Sequence, residues 1–127
     1  MKTRKVLFLL AVLAALALSM ACTIPDYELD FSYSIGSYSS NPMPVNYTLR
    51  NTGSKDLSNV SVEVTVDAQV LAGGWTAGSA WTSSTDISEG RSATGTVYVP
   101  LATGSSYSMA YAGMSSAVWD DEDDGIF

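Results

Sequence analysis

From Tyr27 onward, apolar and polar residues alternate with a period of two, and no helical period is present. Tyr27, Leu29, Phe31, Tyr33 and Ile35 alternate with Glu28, Asp30, Ser32 and Ser34, the pattern of a strand with one buried and one wet face. Val45, Tyr47 and Leu49 repeat it against Asn46, Thr48 and Arg50. Val60, Val62, Val64 and Val66 repeat it against Ser61, Glu63 and Thr65. β-Branched residues at every second place suit a pleated, half-buried surface. Trp75 to Trp81 predicts a shorter, less regular strand. Thr94 to Leu101 predicts another, with Val97, Val99 and Leu101 on one face and Tyr98 on the other. Tyr107, Met109, Tyr111 and Gly113 form a last alternation, which Ala117-Val118-Trp119 either extends or leaves to pair separately. Asn41-Pro42-Met43-Pro44, Asn51-Thr52-Gly53-Ser54, Gly73-Gly74 and Thr103-Gly104-Ser105 are turn chemistry. Ser83 to Ser92 reads as a polar connection. Six or seven strands at these spacings predict an all-β chain folded as an antiparallel sandwich.

The N-terminus breaks the pattern. Met1-Lys2-Thr3-Arg4-Lys5 is basic, and Val6 to Leu18 is an uninterrupted apolar run. As a helix that run spans about 20 Å at ~1.5 Å per residue, short of a bilayer core of roughly 30 Å. A basic start and a short apolar run predict a secretory signal peptide over residues 1–21. The single cysteine, Cys22, follows Leu18-Ser19-Met20-Ala21. This arrangement resembles the lipobox of bacterial lipoproteins, with Ala21 in its usual place, Ser19 where Leu is usual and Leu18 one place early. The resemblance implies that Cys22 becomes the acylated first residue of the mature chain, with residues 22–26 as a short tether to a membrane. Thr23 after the cysteine, in place of Asp, favours the outer membrane of a Gram-negative envelope. An ordinary cleavage site is the alternative, since Ser19-Met20-Ala21 and Ala17-Leu18-Ser19 both satisfy the small-x-small rule.

The segment from Val45 to Val66, an aromatic-bearing strand ending in Asn51-Thr52-Gly53 and followed by alternating valines, resembles small Ig-like modules of bacterial and archaeal cell-surface proteins. The match continues loosely through Glu89-Gly90-Arg91 and Thr94 to Val99. It implies an Ig-like antiparallel β-sandwich over residues 27–119, and such modules serve as spacers, adhesins and assembly platforms. The Cys pair around a core Trp that marks antibody-type domains is absent.

Charge and composition narrow the chemistry. Six Lys and Arg stand against thirteen Asp and Glu, a net charge of −7 that becomes −10 once the three basic residues of 1–21 are set aside. Nucleic acid is therefore not an expected partner, because phosphate binding needs a basic surface. Without histidine there is no Ser-His-Asp triad and no histidine metal site, and one cysteine closes no intrachain disulfide. Ser54 and Ser58 flank Lys55, but a serine nucleophile needs a desolvated base, and Lys55 sits in a polar turn. No catalytic residue, no enzymatic activity and no cofactor is expected.

Two candidate sites remain. Asp120-Asp121-Glu122-Asp123-Asp124-Gly125 opens a tail over 120–127 in which Asp120, Glu122 and Asp124 echo the start of a Ca²⁺ loop. The chain stops well short of the bidentate Glu such a loop needs, and the alternative is a solvated, self-repelling acidic tail. Trp75 and Trp81, six residues apart, share a face of one strand. With Tyr38, Tyr98 or Tyr111 they form a candidate platform for sugar rings, the alternative being that they fill the core. The resulting expectation is a non-catalytic, lipid-anchored envelope protein, outside the cytoplasm, acting as a protein-interaction or structural module. Its partners are the membrane, through acylated Cys22, and another envelope protein. A carbohydrate- or Ca²⁺-binding lipoprotein is the alternative. Close to anionic headgroups, such a domain is expected to turn its acidic cluster outward, toward partners.

Overall fold

The computed structural model describes residues 3–8 and 26–121. Eight strands and no helix occur among them: β1 (Thr3–Phe8), β2 (Leu29–Ile35), β3 (Met43–Asn51), β4 (Leu57–Val70), β5 (Trp75–Trp81), β6 (Thr85–Ile87), β7 (Ser92–Val99) and β8 (Tyr107–Asp121). No described helix is long and apolar enough to cross a membrane. One sheet runs β1-β8-β4-β5, with β6 pairing the start of β4, and the second runs β2-β3-β7. Every pairing is antiparallel. The chain is thus all-β, with seven strands after residue 26.

The two sheets enclose one apolar layer. Val60, Val62, Val64 and Val66 of β4 are fully buried, facing Met43, Val45 and Leu49 of β3 and Val99 of β7. Each such side chain withdrawn from water contributes on the order of 1.5–3 kcal/mol, which makes the β4 stripe the main determinant of register. Sliding β4 by one place would exchange these valines for Ser61, Glu63 and Thr65.

Bulges explain where the simple alternation fails. Asn59 takes a left-handed conformation (φ 53°), and the β4 register shifts between Leu57 and Val60. One extra residue there lets Leu57 and Val60 both point inward although they are three apart. On β8 the register shifts between Glu63 and Val64 of its β4 partner, leaving Ser115 without a partner in the register. Met114 before it and Ala117 and Trp119 after it are all buried, so the two halves predicted as separable are one 15-residue strand. A second shift, between Gln69 and Val70 of β4, corrects the expected Tyr107–Gly113 face. Tyr107 is buried, whereas Met109 and Tyr111 are exposed on the other side. The predicted polar connection from Ser83 to Ser92 also contains β6, held by Leu57↔Ile87 and Val60↔Thr85.

The connections are tied down by two asparagines, one at each end of the domain. At the end where the chain enters at Asp26, Asn51 is fully buried. Its Nδ2 donates to the carbonyls of Lys55 (2.8 Å) and Ile87 (2.9 Å), and its Oδ1 accepts from Gly53 N (3.0 Å). At the opposite end Asn41 Nδ2 donates to the Leu101 and Gly104 carbonyls, at 3.0 and 2.8 Å, and its Oδ1 accepts from Leu101 N at 2.9 Å. Beside it, the Tyr107 hydroxyl donates to the Thr103 and Gly104 carbonyls, at 2.9 and 2.8 Å. Burial pushes the Tyr107 pKa above 10.0, partly offset by its contact with Asn41.

Of the N-terminal segment only Thr3–Phe8 is described, and it lies extended along the outer edge of β8, from Thr3↔Asp121 to Phe8↔Ser116. Cys22 and the rest of the lipobox-like stretch lie outside the described residues.

Candidate functional site

The outward face of β8-β4-β5 is built by register. Four rows cross it: Met109–Gln69–Trp75, Tyr111–Asp67–Ala77, Gly113–Thr65–Ser79 and Ser116–Glu63–Trp81. Because β5 alternates strictly, Trp75 and Trp81 fall on this outer face, while Thr76 and Thr82 are buried. Trp75 is 56% exposed and Trp81 48%. They therefore do not fill the core. That role belongs to the third tryptophan, Trp119, whose ring packs 5.5 Å from Tyr27.

Of the three tyrosines considered with them, Tyr111 joins the face. Its ring lies 6.3 Å from that of Trp75 with only 13° between the planes, on the diagonal across β4, and it is 56% exposed. Tyr98 is paired with Pro44 in the other sheet, and Tyr38 lies in the β2–β3 loop. Met109 and Leu71 extend the exposed apolar surface beside Trp75. Leu71 lies in the β4–β5 turn, outside the alternation, and Met109, which the alternation placed on one face with Tyr107, is turned outward by the bulge before it. Gly73 (φ 119°) and Gly74 (φ 87°) make that turn tight enough to bring Trp75 back beside Gln69.

Between the Trp75–Tyr111 pair and Trp81 the floor is low. Ala77, Ser79, Thr65 and Gly113 supply small side chains, and a Cβ at Gly113 would meet nothing. Six residues of β5 separate the two tryptophans, roughly 20 Å at ~3.3 Å per residue. Polar groups border this trough. The Glu63 carboxylate accepts from the Ser115 hydroxyl at 3.1 Å and from the Ser116 hydroxyl at 3.4 Å. Thr65 Oγ1 donates to Ser115 Oγ at 2.9 Å, and Gln69 Oε1 accepts from Ser108 Oγ at 3.1 Å. Asp67 stands exposed between Ala77 and Tyr111. Large flat faces flanked by fixed hydrogen-bonding groups suit a ligand with both C–H and O–H surfaces. The opposite sheet offers a hollow of about 450 Å³ bordered by Ser32, Ser34, Asn46, Thr48, Thr94 and Thr96, without a charged group.

The acidic candidate lies at the other end. Asp120 pairs opposite Ser58, and Asp120 Oδ2 accepts from Asn59 Nδ2. Asp26, where the chain enters, accepts from Ser54 Oγ in the same end of the domain. The strand takes in Asp120 and Asp121, whereas Glu122 and Asp124 lie outside the described residues. Among the described residues no group of three His, Cys, Asp or Glu is placed to hold a metal ion. Asp120 thus lies at the end of the domain where the chain enters at Asp26, and the expected orientation of the whole acidic cluster involves residues outside the described ones. Lys55 is exposed, and the Ser54 hydroxyl is engaged by Asp26 rather than by the lysine. No known family matches the chain, and no curated protein is similar to it.

Proposed function

We propose that this chain is a lipid-anchored, extracytoplasmic Ig-like module that binds carbohydrate, without catalysis, on the outer face of β8-β4-β5. The observation that carries the reading is the near-parallel, solvent-open pair of Trp75 and Tyr111, continued along the trough by Trp81. Exposed aromatics of this size on a flat sheet are costly to leave wet, and they mark binding surfaces. The weakly positive C–H face of a pyranose ring stacks on the negative face of an aromatic ring. Glu63, Asp67 and Gln69 then accept from sugar hydroxyls. A trough of roughly 20 Å takes several rings in a row.

Glu63 and Asp67 stand four residues apart on one face of β4, about 13 Å between Cα atoms, so each borders a different row of the trough as a hydrogen-bond acceptor. The Ig-like assignment is supported by Tyr107, whose hydroxyl bonds back to the carbonyl four residues upstream as the chain crosses between sheets. This is the tyrosine-corner arrangement of such sandwiches. Orientation supports the anchor. Thr23-Ile24-Pro25-Asp26 reaches at most about 14 Å from an acylated Cys22. The entry end would therefore rest near the lipid, and β4 would carry Trp75 roughly 40 Å farther out, toward ligand.

The test is a glycan array followed by titration of tryptophan fluorescence. Wild type is expected to select linear polysaccharides. Trp75→Ala and Trp81→Ala should each weaken binding about tenfold, or ~1.4 kcal/mol. A folded double variant that binds like the wild type refutes the reading, as does a folded wild type that binds no glycan.

A further inference from the structure

The two outer edges of the larger sheet are treated differently. The β5 edge is covered from within the domain. Ala102 N donates to the Ala77 carbonyl at 3.3 Å, and a Cβ at Gly78 would run into the Pro100 carbonyl, so the chain passes directly over that edge. The β8 edge is covered, among the described residues, by Thr3–Phe8 over Ser116–Asp121. That cover belongs to the stretch read above as a leader. Its removal on export would leave six residues of backbone donors and acceptors without their strand. β8 carries no Lys, Arg or Pro along its length, and over Ser116–Asp121 its only charges are the two terminal aspartates.

We propose that the outer edge of β8 over Ser116–Asp121 is a strand-acceptor site, which in the exported protein takes an antiparallel strand from another polypeptide. The register defines the chemistry of that strand. Thr3, Arg4 and Lys5 stand opposite Asp121, Asp120 and Trp119, and Val6, Leu7 and Phe8 stand opposite Val118, Ala117 and Ser116. The occupant is therefore cationic at its N-terminal end and apolar after it, matching an acceptor that ends in two carboxylates. Main-chain pairing supplies affinity and the charges set direction and register. A second copy of this chain fits less well, because each mature copy carries −10 and both would bring Asp120 and Asp121 to the joint. The site meets the aromatic trough only at Ser116, in the row of Glu63 and Trp81, since β8 meets its partner through backbone at the edge and the trough lies on the sheet face. A strand held there would leave Trp75, Tyr111 and Trp81 free.

This proposal rests on the leader being removed, and the experiment separates the two. The full chain is exported in a bacterial host, and the intact mass of the purified protein reports whether residues 1–21 remain. A fluorescent peptide with the sequence of residues 2–10 is then titrated against the processed chain and followed by anisotropy. Saturable binding is expected, weakened at least tenfold by scrambling the peptide or by Val6→Pro, and weakened with salt. Arg4→Glu in the peptide should cost several-fold, and Asp120→Asn in the protein should produce a similar loss while keeping an acceptor for Asn59. Because the peptide variants leave the protein untouched, they read the site without a folding artefact. A mass that retains residues 1–21 overturns the proposal by removing its leader premise. A processed, folded chain that ignores the peptide, or binds the Val6→Pro peptide equally well, overturns the acceptor itself. A stable dimer that the peptide does not dissociate assigns the edge to a second copy and overturns the choice of partner.

Discussion

Asn51→Ala should be among the most damaging single substitutions in the domain. Asn51 is fully buried between the β3–β4 connection and the β6–β7 turn. Its amide joins three backbone groups from three places, the Lys55 and Ile87 carbonyls and the Gly53 N–H. Its own backbone closes the same corner, with Asn51 N donating to Arg91 O at 2.9 Å and Gly90 N donating to Asn51 O at 3.0 Å. Alanine keeps that backbone pair but abandons the three side-chain partners. Each buried group left unsatisfied costs about 1–3 kcal/mol. The Lys55 carbonyl lies at a partly buried position, so a total of about 3–5 kcal/mol is expected. A domain of this size has about 5–15 kcal/mol in all. The corresponding drop in Tm is about 15–30 °C. Urea and thermal unfolding of the protein measure it directly. Asn51→Asp sharpens the test, since it keeps an acceptor for Gly53 N while aiming a carboxylate oxygen at two carbonyls. Its deficit should therefore be larger at neutral pH and shrink in acid. A loss below about 1 kcal/mol for Asn51→Ala would refute the reasoning, because the corner would then be held by its backbone bonds alone.

Two further substitutions test the same physics elsewhere. Tyr107→Phe removes the hydroxyl bonded to the Thr103 and Gly104 carbonyls and should cost about 1 kcal/mol at neutral pH. Because burial raises the Tyr107 pKa, its contribution is complete below pH 10.0 and is lost as pH climbs through the raised folded value. The phenylalanine variant should show a shallower alkaline loss, and an unchanged profile would reject that assignment. Gly78→Ala forces a Cβ into the Pro100 carbonyl and should destabilise by about 1–3 kcal/mol. Gly113→Ala meets nothing and should change stability by no more than about 1 kcal/mol, and it need not be a loss. Equal effects at the two glycines in denaturant titrations would contradict the placement of Pro100 over β5.

The strand content was legible because burial on one face of a sheet imposes a period of two. Val60 to Val66 and Val45 to Leu49 show that period without interruption, and their faces were assigned correctly. Residues 107–119 were harder, because one extra residue at a bulge inverts every later side chain. The shifts beside Ser115 and before Met109 arise from the pairing with β4 and leave no mark in local composition. β6 was hidden for a similar reason. Three residues, Thr85–Ile87, are too short to display a period, and they are strand only because β4 lies beside them.

For the candidate sites, the sequence alone determined that Trp75 and Trp81 share a face, since even spacing within one strand does so whatever the fold. It also determined that acids dominate the C-terminal end and that histidine chemistry is absent. Which face meets solvent was decided by tertiary structure, because the opposite face of β5 closes over the core shared with β3 and β7. Tertiary structure likewise chose Tyr111 over Tyr38 and Tyr98, brought Glu63 against Ser115, and put Asp120 at the entry end, some 40 Å from Trp75 along β4. These are relations between strands distant in sequence. A one-dimensional pattern encodes the direction of each side chain relative to its own strand, but the neighbour it meets depends on register and sheet order, which are settled only when the whole core packs at once.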